Sequence, residues 1–562
     1  MNKLILSGAL LAASVAGASA QSAIDAFNFS RSDMKGTARF MSMGGAFGAL
    51  GGDLTTLSQN PAGIGVYRSH ELGFTLNLDC QHSQSDAAGY KLSDNQVKFL
   101  LNNIGGVATF KLNSSTFPNF NVGFTYNKAA SFNRRYRGGF QSLSNSMSNY
   151  IAGVSNSAGV TVGDVTSTGS YDPYNLNDGG FPAPWISILG FDSYINTPLG
   201  SADDPHWVGL MGDGTTGTGS FSVEETGHVD EYNISIGGNI ANVVYWGMDF
   251  GITDLRFTQS TFWGENLNDA YIDDNNQGLT RTNANWNLRN AYSVSGNGFN
   301  YKLGVIVKPI QELRIGLAFH TPTWYNIDEA YSAGINYAYT PVPDHVRGNQ
   351  ALTNGGTPGS NSYNFRTPWR VIASLAGVIG NNFIISADYE WAGYGKMRFS
   401  DASNYYYDDY YDPFYPYDYA ATRSLSPNDS YYPTNKDIES YYQSTHTFRV
   451  GAEYRVTPQF SVRAGYSFVS SPVRSEAKNG DLNIYTAGTN PSYTFDNTTN
   501  YITCGLGYRV KKFYVDVAYV YKHLSSEYHA FSPDPQSSSF AEPQAKLSLD
   551  NSQIVLSAGL RF

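Results

Sequence analysis

Phe448 to Phe468 reads FRVGAEYRVTPQFSVRAGYSF. Phe448, Val450, Ala452 and Tyr454 alternate with Arg449, Gly451, Glu453 and Arg455. After Thr457-Pro458, Val462, Ala464, Tyr466 and Phe468 alternate with Ser461, Arg463, Gly465 and Ser467. A period of two marks β-strand, and the proline turn folds the halves into a hairpin. Folding it sets Glu453 opposite Arg463 on one face and Tyr454 opposite Val462 on the other. One face is apolar and the other carries charge, so the hairpin is built for two different solvents.

The same construction recurs on both sides of this stretch. From Trp369 to Trp391, turning at Gly380-Asn381, the apolar row is Trp369, Val371, Ala373 and Leu375 against Trp391, Tyr389, Ala387 and Ile385. The polar row sets Arg370 opposite Glu390, with Ser374, Ser386 and Asp388 nearby. A third hairpin runs from Phe299 to Phe319, turning at Pro309-Ile310. Further alternating segments lie near 71–79, 106–113, 119–128, 230–239, 245–257, 500–510, 513–522 and 552–562, which makes fourteen strands. The number is even, and each strand is long enough to cross a bilayer at a tilt. Short turns alternate with long polar stretches near 80–105, 129–229, 258–298, 322–364, 392–444, 470–499 and 523–551. Short periplasmic turns and long external loops are the outer-membrane pattern; a soluble sandwich has no reason to alternate this way. The expected fold is all-β: a 14-stranded antiparallel transmembrane β-barrel, multi-pass in a bacterial outer membrane.

Composition agrees. The 562 residues include 42 Tyr, 32 Phe and 57 Gly, and only 15% are charged, which favours strands and turns over helices. A formal charge of −11 argues against nucleic acid as a partner. Lys3, the apolar stretch Leu4 to Ala16 and the small-residue site Ala18-Ser19-Ala20 predict a signal peptide over 1–20, with Gln21 the first mature residue. Residues 21–70 do not alternate, and 71–562 carry the strands, with 129–229 and 392–444 the longest loops. The last strand places Ile554, Leu556, Ala558, Leu560 and Phe562 on one face. No HExxH or GxSxG occurs, and two cysteines define no framework, so no enzyme, metal site or cofactor is expected. The Tyr/Asp run at 404–419 lacks the spacing of a calcium loop and is expected to be a self-packed external loop. His320 is expected to line the mouth.

Residues 44–65 read GGAFGALGGDLTTLSQNPAGIG and lead directly into the first strand. A phosphate-cradling loop would need a βαβ context that is absent. The run resembles the N-terminal plug of the outer-membrane long-chain fatty acid transporter family (FadL/TodX type). Asn60-Pro61-Ala62-Gly63 is its most specific part, with Gly44, Gly45 and Asp53 upstream. Gly316 to Pro322, Thr367-Pro368 with Asp388 and Trp391, and Phe448 to Pro472 fit the same family. The resemblance implies a monomeric barrel whose lumen is closed by residues 21–70, and passive uptake of small hydrophobic molecules, fatty acids or aromatic hydrocarbons. It implies a sideways exit through a gap in the wall, for which Gly123 is a candidate kink. Separately, the strand ending at Phe562 resembles the signal by which outer-membrane barrels are recognised for insertion, so the barrel-assembly machinery is an expected partner. Within the plug, Pro61 biases Asn60 away from helix and Gly63 permits a tight turn. Asn60, Pro61, Ala62, Gly63, Gly44, Gly45 and Asp53 are expected both to shape the plug and to act as its gate. Arg370, Asp388, Glu390, Arg449, Glu453 and Arg463 are expected to face inward and tie wall to plug. The alternative is a receptor, adhesin or secretion scaffold on the same barrel. Outer-membrane lipid is the other expected partner.

Overall fold

The computed structural model describes residues 21–168, 171–174, 183–275, 278–380, 382–402, 431–486, 488–532 and 542–562; the stretch 1–20 and the run 404–419 lie outside these. One antiparallel sheet of nineteen strand segments closes on itself. Five segments prolong a neighbour after a short break, leaving fourteen staves. The first seven are β1 (Glu71–Ala87), β2 (Tyr90–Lys111), β3 (Asn119–Ser131), β4 (Thr216–Ile240), β5 (Val244–Asp273), β6 (Leu279–Val307) and β7 (Leu313–His320). The rest are β8 (Arg370–Ile379), β9 (Phe383–Gly393), β10 (Ser444–Arg455), β11 (Phe460–Val469), β12 (Tyr493–Val510), β13 (Phe513–His529) and β14 (Gln544–Arg561). Arg134–Phe140 prolongs β3, and Trp324–Thr340 prolongs β7. Gln350–Leu352 and Gly359–Arg366 precede β8, and Arg398–Asp401 follows β9. Pairing of β14 with β1, from Glu71 with Arg561 to Asp86 with Lys546, closes the ring. His70 and Phe562 then exchange backbone hydrogen bonds of 2.9 and 3.0 Å.

β4 shows how one strand serves two environments. Near its C-terminal end the outward residues Tyr232, Ile234 and Ile236 are apolar and exposed, while the inward Glu231, Asn233 and Ser235 are buried. Nearer its start the polarity reverses: Phe221 and Val223 are buried, and Ser220, Ser222 and Glu224 face out. The first stretch suits hydrocarbon outside, and the second suits water outside with a packed interior. The interior of the second is a large apolar cluster including Tyr136, Met147, Leu189, Trp263, Trp286 and Tyr528. Helices Met147–Ser157 and Trp185–Asp192 contribute to it.

Two expectations need correction. Much of the supposed polar loops at 80–105, 258–298 and 523–551 is strand, because β1, β2, β5, β6, β13 and β14 continue past the apolar band with reversed polarity. The hairpin at Gly380 pairs Val371 with Trp391, so Arg370 lies opposite Ala392 and Glu390 opposite Ile372. The turn spans three residues between Ile379 and Phe383, which shifts the register by two and leaves every side chain on its expected face. The other hairpin has the expected register, with Glu453 opposite Arg463 and Tyr454 opposite Val462.

Leu317 lies in the exposed apolar row and Ser222 in the polar outer stretch. Leu317→Arg is expected to lower stability by about 2–4 kcal/mol, and Ser222→Arg to change it by less than about 0.5 kcal/mol. Denaturant titration in lipid vesicles measures both, and equal costs would show that Leu317 does not face hydrocarbon.

Candidate functional site

Residues 21–66 form α1 (Ala23–Ser30), α2 (Ala38–Ser42), α3 (Thr56–Gln59) and a 3-10 turn, Pro61–Val66. Almost all of them are buried, and they pack against the polar face of the staves. Small residues make the approach possible. Gly44 and Gly45 take φ of +63° and +75°, where other L-residues are strained. A Cβ on Gly44 would sit 2.8 Å from the backbone nitrogen of Tyr466. The wall reciprocates: a Cβ on Gly451 would meet the Met43 carbonyl oxygen at 2.2 Å, and one on Gly465 the Gly44 nitrogen at 2.3 Å.

The four-residue motif is a cap followed by a contact. Asn60 is extended, as a residue before proline prefers, and Pro61 opens the 3-10 turn. The Asn60 side-chain oxygen accepts from Ala62 N at 3.1 Å, and its Nδ2 donates to the Gly48 carbonyl at 2.5 Å. Gly63 makes no left-handed turn; a Cβ there would meet Thr56 Oγ1 at 2.5 Å and the Gly51 Cα at 3.1 Å. The tight turns fall at Gly44-Gly45 and Gly51-Gly52 instead. Asp53 is buried and accepts from Thr37 Oγ1 and Thr55 N, knitting the segment to itself.

Charge then joins segment to wall. Asp388 Oδ2 accepts from the Phe47 and Gly48 nitrogens at 3.0 and 2.9 Å and from Gln59 Nε2 at 3.2 Å. Arg449 donates to Glu390 at 2.6 Å, with Arg370 on the other Glu390 oxygen at 3.7 Å. Arg370 also donates to Ser32 Oγ at 2.9 Å. Glu453 is shared: Arg39 of the segment reaches it at 2.9 Å and Arg463 of β11 at 2.7 Å, while Arg463 also donates to Asp516 at 2.5 Å. His320 is no mouth residue: its Nε2 lies 2.8 Å from the Gln59 carbonyl.

Further contacts escaped the sequence reading. Lys35 bridges Asp79 and Gln553, Lys522 pairs with Asp33 at 2.6 Å, and Arg314 donates to the Leu50 carbonyl at 2.6 Å. Strand parity signals the wall residues, since Asp516 and Arg314 alternate with apolar neighbours. Nothing in the sequence pairs them with particular residues of 21–66.

The wall has a seam. β2 pairs with β3 from Lys111–Asn119 only as far as Asn103–Asn127, and beyond that pairs with β1 alone. Outside the unpaired part of β2 stand Val97, Phe99 and Leu101, all exposed. The N-terminal segment takes up the freed edge of β3: Asp33 N donates to the Ala129 carbonyl at 3.2 Å, and Ser131 N to Asp33 Oδ2 at 3.3 Å. The β3–β4 ladder is irregular between Lys128 and Ala130, not at Gly123. A Cβ on Gly123 would meet Leu57 at 2.5 Å, so that glycine makes room for the segment. Beside the seam is a cavity of 120 Å³ lined from both sides. It mixes Phe27, Tyr394 and Leu524 with Lys35, Asp33 and Lys522.

A family model described as "Outer membrane protein transport protein (OMPP1/FadL/TodX)" matches residues 224–560, more than half of the chain. The sheet is also similar to three crystal structures. A Pseudomonas aeruginosa FadL homologue has 12% identity and a TM-score of 0.48, over 94% of this chain and 99% of that one. The Ralstonia pickettii toluene transporter TbuX has 13% and 0.43, over 95% and 100%. The Pseudomonas putida toluene transporter TodX has 13% and 0.44, over 94% and 99%. No curated protein matches the chain.

Removing the shared carboxylate leaves Arg39 without its acid and Arg463 with Asp516 alone. Glu453→Gln is expected to weaken the contact between segment and wall by about 3 kcal/mol while the barrel still folds. Its ion conductance in planar bilayers should then exceed the wild type's. Unchanged conductance would show that this pair does not hold the segment.

Proposed function

The chain belongs to the outer-membrane transport protein family (OMPP1/FadL/TodX), and from that premise we propose that it takes up small hydrophobic molecules passively, long-chain fatty acids or aromatic hydrocarbons, with residues 21–70 as the plug. The observation carrying the proposal is the cavity bounded by segment and wall beside the stretch where β2 leaves β3. A molecule released there meets the apolar edge of Phe99 and Leu101 rather than water. Sideways exit into the bilayer spares an apolar solute the cost of crossing an aqueous space. The cavity's cations Arg31, Lys35, Arg134 and Lys522 are each paired with an acid, so its lining suits a fatty acid and a bare hydrocarbon alike.

Size requires movement. Ligand pockets run to about 300–1,000 Å³, and this cavity holds 120 Å³. A long acyl chain therefore enters only when the segment yields. Among the contacts that hold it are the two backbone N–H groups on Asp388 and the shared Glu453, and these form part of the gate in this reading. One observation favours the second reading, a surface receptor or scaffold: the apolar cluster filling the outer staves obstructs entry from outside.

Uptake of a radiolabelled long-chain fatty acid separates the two. Cells carrying the gene should accumulate the label faster than cells without it. Asp388→Asn, which weakens the acceptor for the Phe47 and Gly48 nitrogens, should loosen the segment and change the rate of uptake while the protein still reaches the outer membrane. Uptake indifferent to the gene, with protein present in the outer membrane, would remove fatty acid as substrate and favour the receptor reading.

A further inference from the structure

Four neighbouring segments of the wall carry outward side chains in two level rows. The lower row runs Phe299, Trp324, Arg366, Arg398: Trp324 pairs with Phe299 and with Arg366, and Arg366 with Arg398. The row directly above runs Asn297, Asn326, Asn364, Ser400 in the same register. Helix Tyr432–Tyr441 overhangs them, bringing Tyr432, Asn435, Lys436 and Glu439 to the far side of an open groove of 800 Å³.

The lower row marks the top of the lipid-facing band. Below it on β6 are exposed Tyr301 and Leu303, and directly above it on the same strand stand Asn297, Ser295 and Ser293. Phe299 and Trp324 pack with ring centroids 5.3 Å apart, as an interfacial aromatic girdle does. Water, head groups and acyl chains meet at this height.

Charge in the groove runs against that of the chain. The chain carries −11, whereas the groove's charged residues are Arg366, Arg398, Lys436 and Glu439. Arg398 and Lys436 both pair with Glu439. Arg366 has no acid or hydrogen-bond acceptor among the described residues, and its Nε is buried with no partner. A half-buried guanidinium beside a second one is repelled by it, and an anion joining the two relieves that repulsion. Two guanidinium forks match the oxygens of a phosphate. The amide row above offers both donors and acceptors, which match sugar hydroxyls.

We infer that this groove binds a phosphorylated glycolipid of the outer leaflet, its phosphate on Arg366 and Arg398, its sugars on the asparagine row and its acyl chains against Trp324 and Phe299. The site is on the outside of the wall, so the inference stands apart from the transport reading.

The test uses the full-length protein in detergent, with bisphosphorylated lipid A, its dephosphorylated counterpart and a long-chain fatty acid as separate probes. Native mass spectrometry counts the lipid retained. The wild type should hold the phosphorylated lipid. Arg366→Ala with Arg398→Ala should weaken retention about tenfold or more while keeping the heat-dependent gel mobility of a folded barrel. Arg366→Lys should recover only part of the loss, because an ammonium lacks the fork. Equal retention of the dephosphorylated lipid, or equal retention by the double variant, overturns the assignment. So does displacement of the phosphorylated lipid by the fatty acid, which would make the groove a carboxylate site, or by inorganic phosphate alone, which would leave the lipid without a role. Deleting 405–419 should change nothing. A gain of lipid on that deletion would mean that the chain's own carboxylates occupy the groove, and would equally overturn it.

Discussion

Hydrocarbon offers a backbone N–H or C=O no partner, so a sheet that crosses a bilayer must close on itself. The closure here is the ladder between β1 and β14, which joins the start of the strand-forming sequence to its end. Its geometric consequence is an interior with a fixed circumference and a wall of one thickness. Its chemical consequence is that alternate side chains are committed to that interior whatever their chemistry. Because the lipid side takes the apolar set, the interior receives Asn, Ser, Thr, Asp, Glu and Arg, none of which can be buried unpaired without cost. The packing of residues 21–66 is an answer to that demand.

The answer depends on distance. A carboxylate on the wall can accept from backbone nitrogens only if the segment comes within about 3 Å, and ordinary side chains would hold the two apart. Glycines on both partners remove that spacer: Gly44 and Gly48 on the segment, Gly316, Gly451 and Gly465 on the wall. Asp388 can then receive Phe47 N and Gly48 N, and Glu453 can serve one arginine from each side. These glycines are explained by what must approach them rather than by flexibility, and Gly63 and Gly123 follow the same rule.

Fold and site were legible to different depths in the sequence. The apolar band, the strand number and the inward set were readable because a period of two survives any register error of two, as at Gly380, where Arg370 changed partner but not face. Strand length was not readable. Where β4, β5 and β6 leave the membrane their outward residues turn polar and their inward residues apolar, so the same alternation reads as a loop to anyone tracking one apolar face. Contacts such as Lys35 with Asp79 and Gln553 were invisible for a different reason. They join residues far apart in sequence, and only the closed geometry decides which meet.

The same constraint bears on how such a wall could release a solute. Opening the sheet anywhere in the bilayer exposes backbone groups to hydrocarbon, a cost of several kcal/mol per group. The seam between β2 and β3 lowers that cost without a full ladder. On the β1 side β2 stays paired through to Tyr90, and the freed edge of β3 is met by Asp33 of the N-terminal segment, backbone to backbone and carboxylate to backbone. The N-terminal segment is therefore part of the wall's hydrogen bonding as well as a body packed against it. A displacement of residues 31–35 would enlarge the adjoining cavity and also withdraw Asp33 from β3 and from Lys522. Under the proposed transport role, widening the interior and unsealing the seam would be one motion.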